Sequence, residues 1–321
     1  MNVFFWNVFT LRDHFWHKRD FSGKLAVIRY TQDKSAIPPY GIRSKNWGRA
    51  TNGVFETGIS AWINIHTPIS EQIIWLQKEQ PDYLLTHPSV LQELALHCKR
   101  EAIQFHFLRE VRTISEAQPD GLRELCQEVW GAKLVDLYST IELGILALQC
   151  PEHDHYHVQS EGVLLEVLDD KGVPCVPGQV GKVVVTNLHN FATPLIRYEV
   201  GDFAEVGESC PCGRGLPVLK RILGRYRNLV VLPDGQRRWP KFGMGEILKI
   251  APVRQFQAIQ HSIKEVEFLL VMDLSLNIED RQKLIELFRS NLHPEMNVTI
   301  SEVDSIPRSA SGKYEEFVTK L

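Results

Sequence analysis

Six cysteines fall into two groups by their surroundings in the 321-residue chain. Cys210 and Cys212 stand one residue apart in C-P-C-G-R, a Pro/Gly turn that brings two thiolates together. Cys150 heads C-P-E-H-D-H-Y-H, which adds His153, His155 and His157. Three sulfurs and one imidazole would make a closed structural zinc site with no open coordination position. The spacing is not that of a standard finger, and Cys210-x-Cys212 is tighter than the usual C-x₂-C, so unliganded thiols and redox chemistry stay open. Cys98 and Cys126, on helix faces, and Cys175, in a turn-flanked strand, read as buried thiols. Three other segments carry polar groups on short turns: Y-S-T-I-E at 138–142, P-L-I-R-Y-E-V-G-D from Pro194 to Asp202, and I-P-R-S-A-S-G-K from Ile306 to Lys313. Taken singly, Asp202 is an aspartate in an x-G-D turn and Lys313 a solvated lysine in a Ser/Gly loop.

These residues need elements to hold them. Ser70-Glu71 starts a helix that Pro81 stops, Tyr83–Thr86 is a strand, and Pro88-Ser89 opens a second helix. Residues 103–107 form the next strand. Asp120 caps a helix in which Leu122, Leu125, Cys126 and Val129 recur at helical spacing, and Gly131 ends it. Residues 134–138 then read as a buried strand. Alternation of strand and helix predicts an α/β sheet, whose ligands bind beyond the carboxyl ends of the strands, where Tyr138 to Glu142 fall. After Cys150, short strands at 163–168, 181–188 and 203–206, set off by turn residues, predict an antiparallel or barrel-like section. Beyond Gly224, strands at 254–260 and 265–272, a helix near 278–290 and a strand at 297–303 predict a small α+β unit. Residues 1–65 are the least legible; their aromatics (Phe4, Phe5, Trp6, Phe9, Phe15, Trp16) read as the core packing of a helix.

Composition narrows the class. The chain is 44% apolar and 23% charged, and 36 Lys plus Arg against 39 Asp plus Glu give a formal charge of −3. No basic surplus exists to neutralise a phosphate backbone, so a dedicated nucleic-acid partner is not expected. No uncharged stretch reaches the roughly 20 apolar residues of a membrane span. The segment from Met1 to Leu11 lacks a basic leader and a small-residue cleavage site, so the expected localisation is cytoplasmic.

The three polar segments in this order, with Gly224-Arg225 between the last two, resemble the adenylate-forming (ANL) superfamily of acyl-CoA ligases. Y-L-L-T-H-P-S at 83–89, P-L-I-R-Y-E-V-G-D, C-P-C-G-R and the following G-R are most similar to its phenylacetate-CoA ligase and CapK-like branch. The resemblance implies an α/β protein with a large AMP-binding domain, here 1–224 and incomplete, and a small C-terminal lid at 225–321. It implies that a carboxylate and ATP give an acyl-adenylate and pyrophosphate, followed by transfer to a thiol. Lys313 matches the adenylation lysine, whose cation would stabilise charge where one anion attacks another. Glu142 matches the glutamate that holds Mg²⁺, Tyr138 the aromatic residue on adenine, and Asp202 the aspartate that accepts from both ribose hydroxyls. Ser139 stands where the family has Gly or Ser, and Arg225 matches the arginine near the ribose at the hinge. Among the three histidines, the branch points to His157 as the ligand joining Cys150, Cys210 and Cys212. The implied cofactors are ATP or AMP, Mg²⁺, coenzyme A as co-substrate and a structural zinc; the implied partners are a small carboxylic acid and a thiol acceptor.

Three features depart from the pattern. Ile141 replaces the hydroxyl residue usually found before the glutamate. Arg227 and Asn228 stand where relatives carry acidic residues. The Ser/Thr/Gly-rich phosphate loop has no counterpart, since neither Thr51-Asn52-Gly53 nor Thr57-Gly58 has the run or a following Lys. Arg12–Trp16 resembles the helix that follows that loop, so the chain is expected to begin just after it. A fragment, one half of a split enzyme with a separate N-terminal half, and an inactive homologue are the three explanations. The leading functional expectation is an acid–thiol ligase of phenylacetate-CoA ligase type. The alternative is a catalytically silent nucleotide- or partner-binding homologue in a polysaccharide or secondary-metabolite cluster.

Overall fold

The computed structural model describes residues 3–225, 228–240 and 242–321; Arg227 lies outside the described residues. Its first part is α1 (Val3–Trp16), β1 (Leu25–Arg29), β2 (Ile42–Ser44), β3 (Ser60–Asn64), α2 (Ile69–Glu79), β4 (Tyr83–Thr86), α3 (Pro88–Arg100), β5 (Glu110–Thr113), α4 (Leu122–Trp130) and β6 (Lys133–Thr140). Then come six strands: β7 (Gly144–Gln149), β8 (Tyr156–Val158), β9 (Val163–Leu168), β10 (Val180–Asn187), β11 (Tyr198–Val206) and β12 (Val218–Arg225). All twelve belong to one sheet, in the order β2-β3-β1-β4-β5-β6-β7-β8-β12-β11-β10-β9.

Strand direction divides this sheet. Pairs from β3 through β1, β4 and β5 to β6 are parallel, whereas every pair from β6–β7 onward is antiparallel. The parallel half needs helical crossovers, and α2, α3 and α4 supply them. Their apolar sides, with Trp75, Leu76, Leu91, Leu94 and Cys126, close over Ala26, Ile28, Leu84, Val111 and Leu134 in one core. Burying each such side chain contributes roughly 1.5–3 kcal/mol before entropy is charged against it. The reversal at β6–β7 leaves residues 141–143 as a tight turn at the carboxyl end of the last parallel strand.

The remaining elements are β13 (Val230–Val231), β14 (Arg237–Arg238), α5 (Met244–Leu248), β15 (Val253–Ser262), β16 (Glu265–Met272), α6 (Ile278–Asn291), β17 (Asn297–Glu302) and β18 (Phe317–Thr319). A four-stranded sheet, β17-β16-β15-β18, carries a separate core. In it Phe268 and Phe288 stack with ring centroids 3.7 Å apart. Asn277 caps α6, its side chain accepting from the Asp280 amide, one of the orphan donors at a helix start.

Several expectations need correction. Residues 103–107 form no strand: Phe105 is fully buried and stacks on Trp130, while the strand begins at Glu110. The alternating apolar residues there fill the core beneath the helices. E-V-R-T, where the strand actually lies, alternates charged and apolar residues, and all four are buried. That charge is paired: Arg19 bridges Glu110 (2.5 Å) and Asp13 (2.7 Å), and Arg112 reaches Asp13 (2.7 Å), tying α1 to β5. Asp120 does not cap α4; Gly121 occupies the cap with φ +79° and no side-chain hydrogen bond. Cys175 lies half-buried in the loop between β9 and β10, outside any strand. In α1, Phe9 is buried as expected, but Phe4 and Phe15 are exposed. No helix among the described residues is long and apolar enough to cross a membrane.

Candidate functional site

The turn after β6 is built from its own residues. Thr140 Oγ1 accepts from the Leu143 amide at 3.1 Å, which closes the turn and leaves Ile141 and Glu142 exposed at its tip. Tyr138, two residues earlier, is buried, and Ser139 is half-buried beside the register shift that opens the β6–β7 pair. Although four strand positions separate β6 from β11, Tyr138 Oη donates to Asp202 Oδ2 at 2.8 Å. The antiparallel half must therefore curl strongly to bring its far strands back over β6.

Asp202 is opposite Arg225 in the β11–β12 ladder, with Arg225 Nε 3.8 Å from Oδ1. Burial raises the Asp202 carboxyl above its ordinary value; the Tyr138 hydroxyl, Arg225 and Lys313 oppose that rise and Glu142 adds to it. The same electrostatic neighbourhood thus contains all five of Tyr138, Asp202, Arg225, Glu142 and Lys313. Lys313 arrives from the other sheet, on the loop between β17 and β18. Its amide donates to Ser309 Oγ (3.0 Å) and its carbonyl accepts from the Ser309 amide (2.9 Å). Gly312 has φ +82°, and a Cβ there would lie 2.5 Å from Ile65 Cγ2, so the loop's approach to the end of the parallel sheet requires glycine. Ile141, next to Glu142 at the turn tip, is 80% exposed, an apolar side chain with nothing to offer a phosphate.

A second cluster lies nearby on the antiparallel half. Cys150, His157, Cys210 and Cys212 each offer a ligand atom, and these four atoms lie within 4.8 Å of one another. Cys150 Sγ and Cys210 Sγ are 3.9 Å apart, and Cys212 Sγ is 3.3 Å from His157 Nε2. Zn–S and Zn–N bonds of about 2.3 and 2.0 Å make tetrahedral edges of roughly 3.8 and 3.5 Å, close to these two distances, so the donor set suits zinc. Burial, then neighbouring His155, lowers the His157 pKa, favouring the neutral ring a metal requires. Burial pushes the Cys210 thiol up to about 11. It also opposes ionisation of Cys212, but hydrogen bonds from the Arg214 amide and side chain, together with those to Cys210 and Cys150, draw that thiol below its ordinary value. His153 and His155 stand outside the cluster, although their rings stack on each other.

Sequence reasoning missed the residues that support both places. Asp136, buried on β6, accepts from Thr113 Oγ1 and Tyr156 Oη, both at 2.7 Å, while its amide donates to Gln149 Oε1. This cross-strand network braces β6 just before Tyr138. Its only sequence signal is an aspartate inside an apolar run.

With this geometry in hand, the comparisons with known proteins are specific. Residues 242–320 match the CapK C-terminal domain. The phenylacetate-coenzyme A ligase of Thermus thermophilus is 29% identical over 168 residues, 50% of this chain and 38% of the relative. That of Pseudomonas putida is 27% identical over 276 residues, 74% of this chain and 60% of the relative. The chain thus spans less than two thirds of either curated relative. Among solved structures, 2-hydroxyisobutyryl-CoA ligase in its postadenylation state, with R3-HIB-AMP, superposes with a TM-score of 0.69 at 17% identity, covering 98% of this chain and 70% of that one. The same ligase in its thioesterification state reaches 0.54 at 18% identity, with 98% and 69% covered.

A long sheet that changes from parallel to antiparallel, followed by a small α+β unit, is the fold this chain shares with 2-hydroxyisobutyryl-CoA ligase. In sequence, the chain is similar to the CapK C-terminal domain over residues 242–320 and to part of two phenylacetate-coenzyme A ligases.

Proposed function

We propose that this chain carries most of the active site of an acid–thiol ligase, divided into a large AMP-binding domain at 1–224 and a mobile lid at 225–321. The observation that carries the reading is the contact of Asp202 with Tyr138 and Arg225, with Glu142 and Lys313 near enough to act on its charge. A carboxylate oxygen of the acid attacks the α-phosphorus of ATP, the bond to pyrophosphate breaks, and acyl-AMP forms. A thiolate, that of coenzyme A or another acceptor, then attacks the acyl carbon and AMP leaves. Lys313 neutralises charge that accumulates as the carboxylate approaches the phosphate. Asp202, accepting through two oxygens, holds the ribose hydroxyls, with Arg225 beside it. Tyr138 and Ser139 form the floor under the adenine, and Tyr138 also fixes the Asp202 carboxylate.

Glu142, an exposed carboxylate at the mouth of the site, is a hard oxygen donor that would hold Mg²⁺ against the phosphates. Cys150, His157, Cys210 and Cys212 would hold a structural zinc, whose chemistry is to bind β8 to the loop before β12 and not to react. The higher similarity to the postadenylation state than to the thioesterification state of the same ligase supports a lid arrangement suited to the first half-reaction. Carboxylate-dependent ATP–pyrophosphate exchange, with phenylacetate as the first probe, tests the reading. Exchange that needs the acid and disappears in Lys313→Ala is the expected result. Exchange indifferent to Lys313, or absent with every acid in a panel, counts against it. Exposed Ile141, which cannot donate to a phosphate, favours one competing reading, a nucleotide-binding homologue without catalysis. That reading expects AMP binding with no exchange.

A further inference from the structure

The loop that carries Lys313 is fastened at both ends, to α3 and to the loop after β5. At its start, Arg308 Nη1 donates to Ser89 Oγ at 2.6 Å and Nη2 pairs with Glu93 Oε1, both partners in the first two turns of α3. At its end, the Tyr314 amide donates to Glu116 Oε1 at 2.8 Å. Glu116 lies in the loop after β5; its other oxygen accepts from the Ser89 amide at 3.1 Å, and His87 Nδ1 lies 3.4 Å from Oε1. Arg308 Nη1 is itself 3.9 Å from Glu116 Oε1, so the two fastenings share one cluster. Arg308 and Glu116 are almost wholly covered, with side chains 11% and 7% exposed.

We propose that Arg308 and Glu116 form a releasable latch that positions Lys313 over the nucleotide for adenylation, Arg308 holding the loop to α3 and Glu116 holding its far end. Its existence rests on these contacts alone; its meaning rests on the reading of Lys313 given above. Between the two anchors only five residues remain, closed further by the Ser309–Lys313 hydrogen bonds. Lys313 therefore has little freedom while both anchors hold. The latch is polar by design. Charged groups that separate into water regain their hydration, so a junction of ion pairs opens at far lower cost than one of buried apolar surface. A unit that must dock for one half-reaction and leave for the next needs such a junction. Further polar contacts continue it: Gln255 Nε2 donates to Glu93 Oε1 at 3.1 Å, and Arg100 reaches Asp273 at 3.3 Å. Arg308 and Glu116 touch none of the proposed reacting groups, so both are positioning residues.

Amide hydrogen exchange on the full chain tests the latch without any assay of catalysis. In Arg308→Ala the Lys313 and Tyr314 amides should exchange at least tenfold faster, while those of β6, β15 and β16 keep their rates. Arg308→Lys should recover part of the protection, because a lysine can still reach Glu93. Glu116→Ala should free the Tyr314 amide, and Glu116→Gln, which keeps an acceptor oxygen, should retain most of its protection. Unchanged loop rates in Arg308→Ala overturn the proposal. So does an equal acceleration through β15, β16 and α6, since Arg308 would then merely stabilise the small sheet. A second arm reads function: Arg308→Ala should lower kcat for ATP–pyrophosphate exchange tenfold or more with little change in KM for the acid. Wild-type exchange matched by the variant overturns the positioning role. No exchange in the wild type, with loop protection behaving as stated, sinks the ligase reading and leaves the latch standing.

Discussion

The cysteine–histidine cluster and the proposed nucleotide site share the large sheet, yet they are built on opposite plans. All four donors of the cluster come from one sheet, two from β8 and the loop before it and two from the loop before β12, and their atoms lie within 4.8 Å of one another. The proposed nucleotide site is split: Tyr138, Asp202 and Arg225 lie in the large sheet and Glu142 in a turn of it, whereas Lys313 is brought by a loop of the small one. On the proposed reading, one arrangement is closed, as a folding element should be, and the other is assembled only while two units are docked. The difference would place rigidity beside the chemistry and mobility within it.

Three perturbations should separate the two plans. The largest effect on the fold is expected from Cys210→Ser, which removes one of four ligands. It should lower stability by about 3–5 kcal/mol, seen as a fall of roughly 10 °C in Tm, together with loss of bound zinc. Protein purified without chelator should contain about one zinc per chain. A ratio near zero in a fully stable protein would refute the metal assignment.

Lys313→Ala should behave in the opposite way. Exchange of pyrophosphate into ATP should fall by about 10²–10³, as when a single stabilising donor is lost from a transition state, while Tm moves by no more than about 1–2 °C. Should the variant also unfold easily, the loop is part of the fold's foundation and the contrast between the two regions collapses.

The smallest effect is a pH dependence at the brace between them. Burial pushes the Asp136 carboxyl up to about 6, against the help of Thr113 and Tyr156. Its folded value lies above its unfolded one, so the folded state holds the extra proton. Stability from this group is therefore complete below about pH 4 and declines as pH rises through about 6. Asp136→Asn should abolish that decline, gaining roughly 1–2 kcal/mol relative to wild type between pH 4.5 and 7.5 in parallel urea melts. Equal slopes in the two proteins would mean that Asp136 stays ionised throughout.

Much of this was legible in the sequence because the relevant signals are local. The turn residues and apolar period around α2, β4 and α3 set their limits within a residue or so, and β16 falls where alternation puts it. The tight pair Cys210 and Cys212 announced a cluster that the fold assembles, and His157 rather than His153 or His155 completes it. What escaped notice depends on distant partners. Glu110 and Arg112 sit in a strand only because Asp13 and Arg19 neutralise them across the sheet. The roles of Arg308 and Glu116 arise where two sheets meet, and no spacing within either segment specifies the other. Arg308 does stand inside I-P-R-S-A-S-G-K, so a cation five residues before Lys313 was the one available hint.

The central claim is that these five side chains form one adenylate site. Calorimetric titration of the chain with a stable acyl-sulfamoyl adenosine, an uncleavable stand-in for acyl-AMP, tests it without requiring turnover. One ligand should bind per chain, and Asp202→Ala should weaken binding about tenfold or more through loss of the charge-assisted bonds to the ribose. No binding by the wild-type chain, or binding that Asp202→Ala leaves untouched, would contradict it.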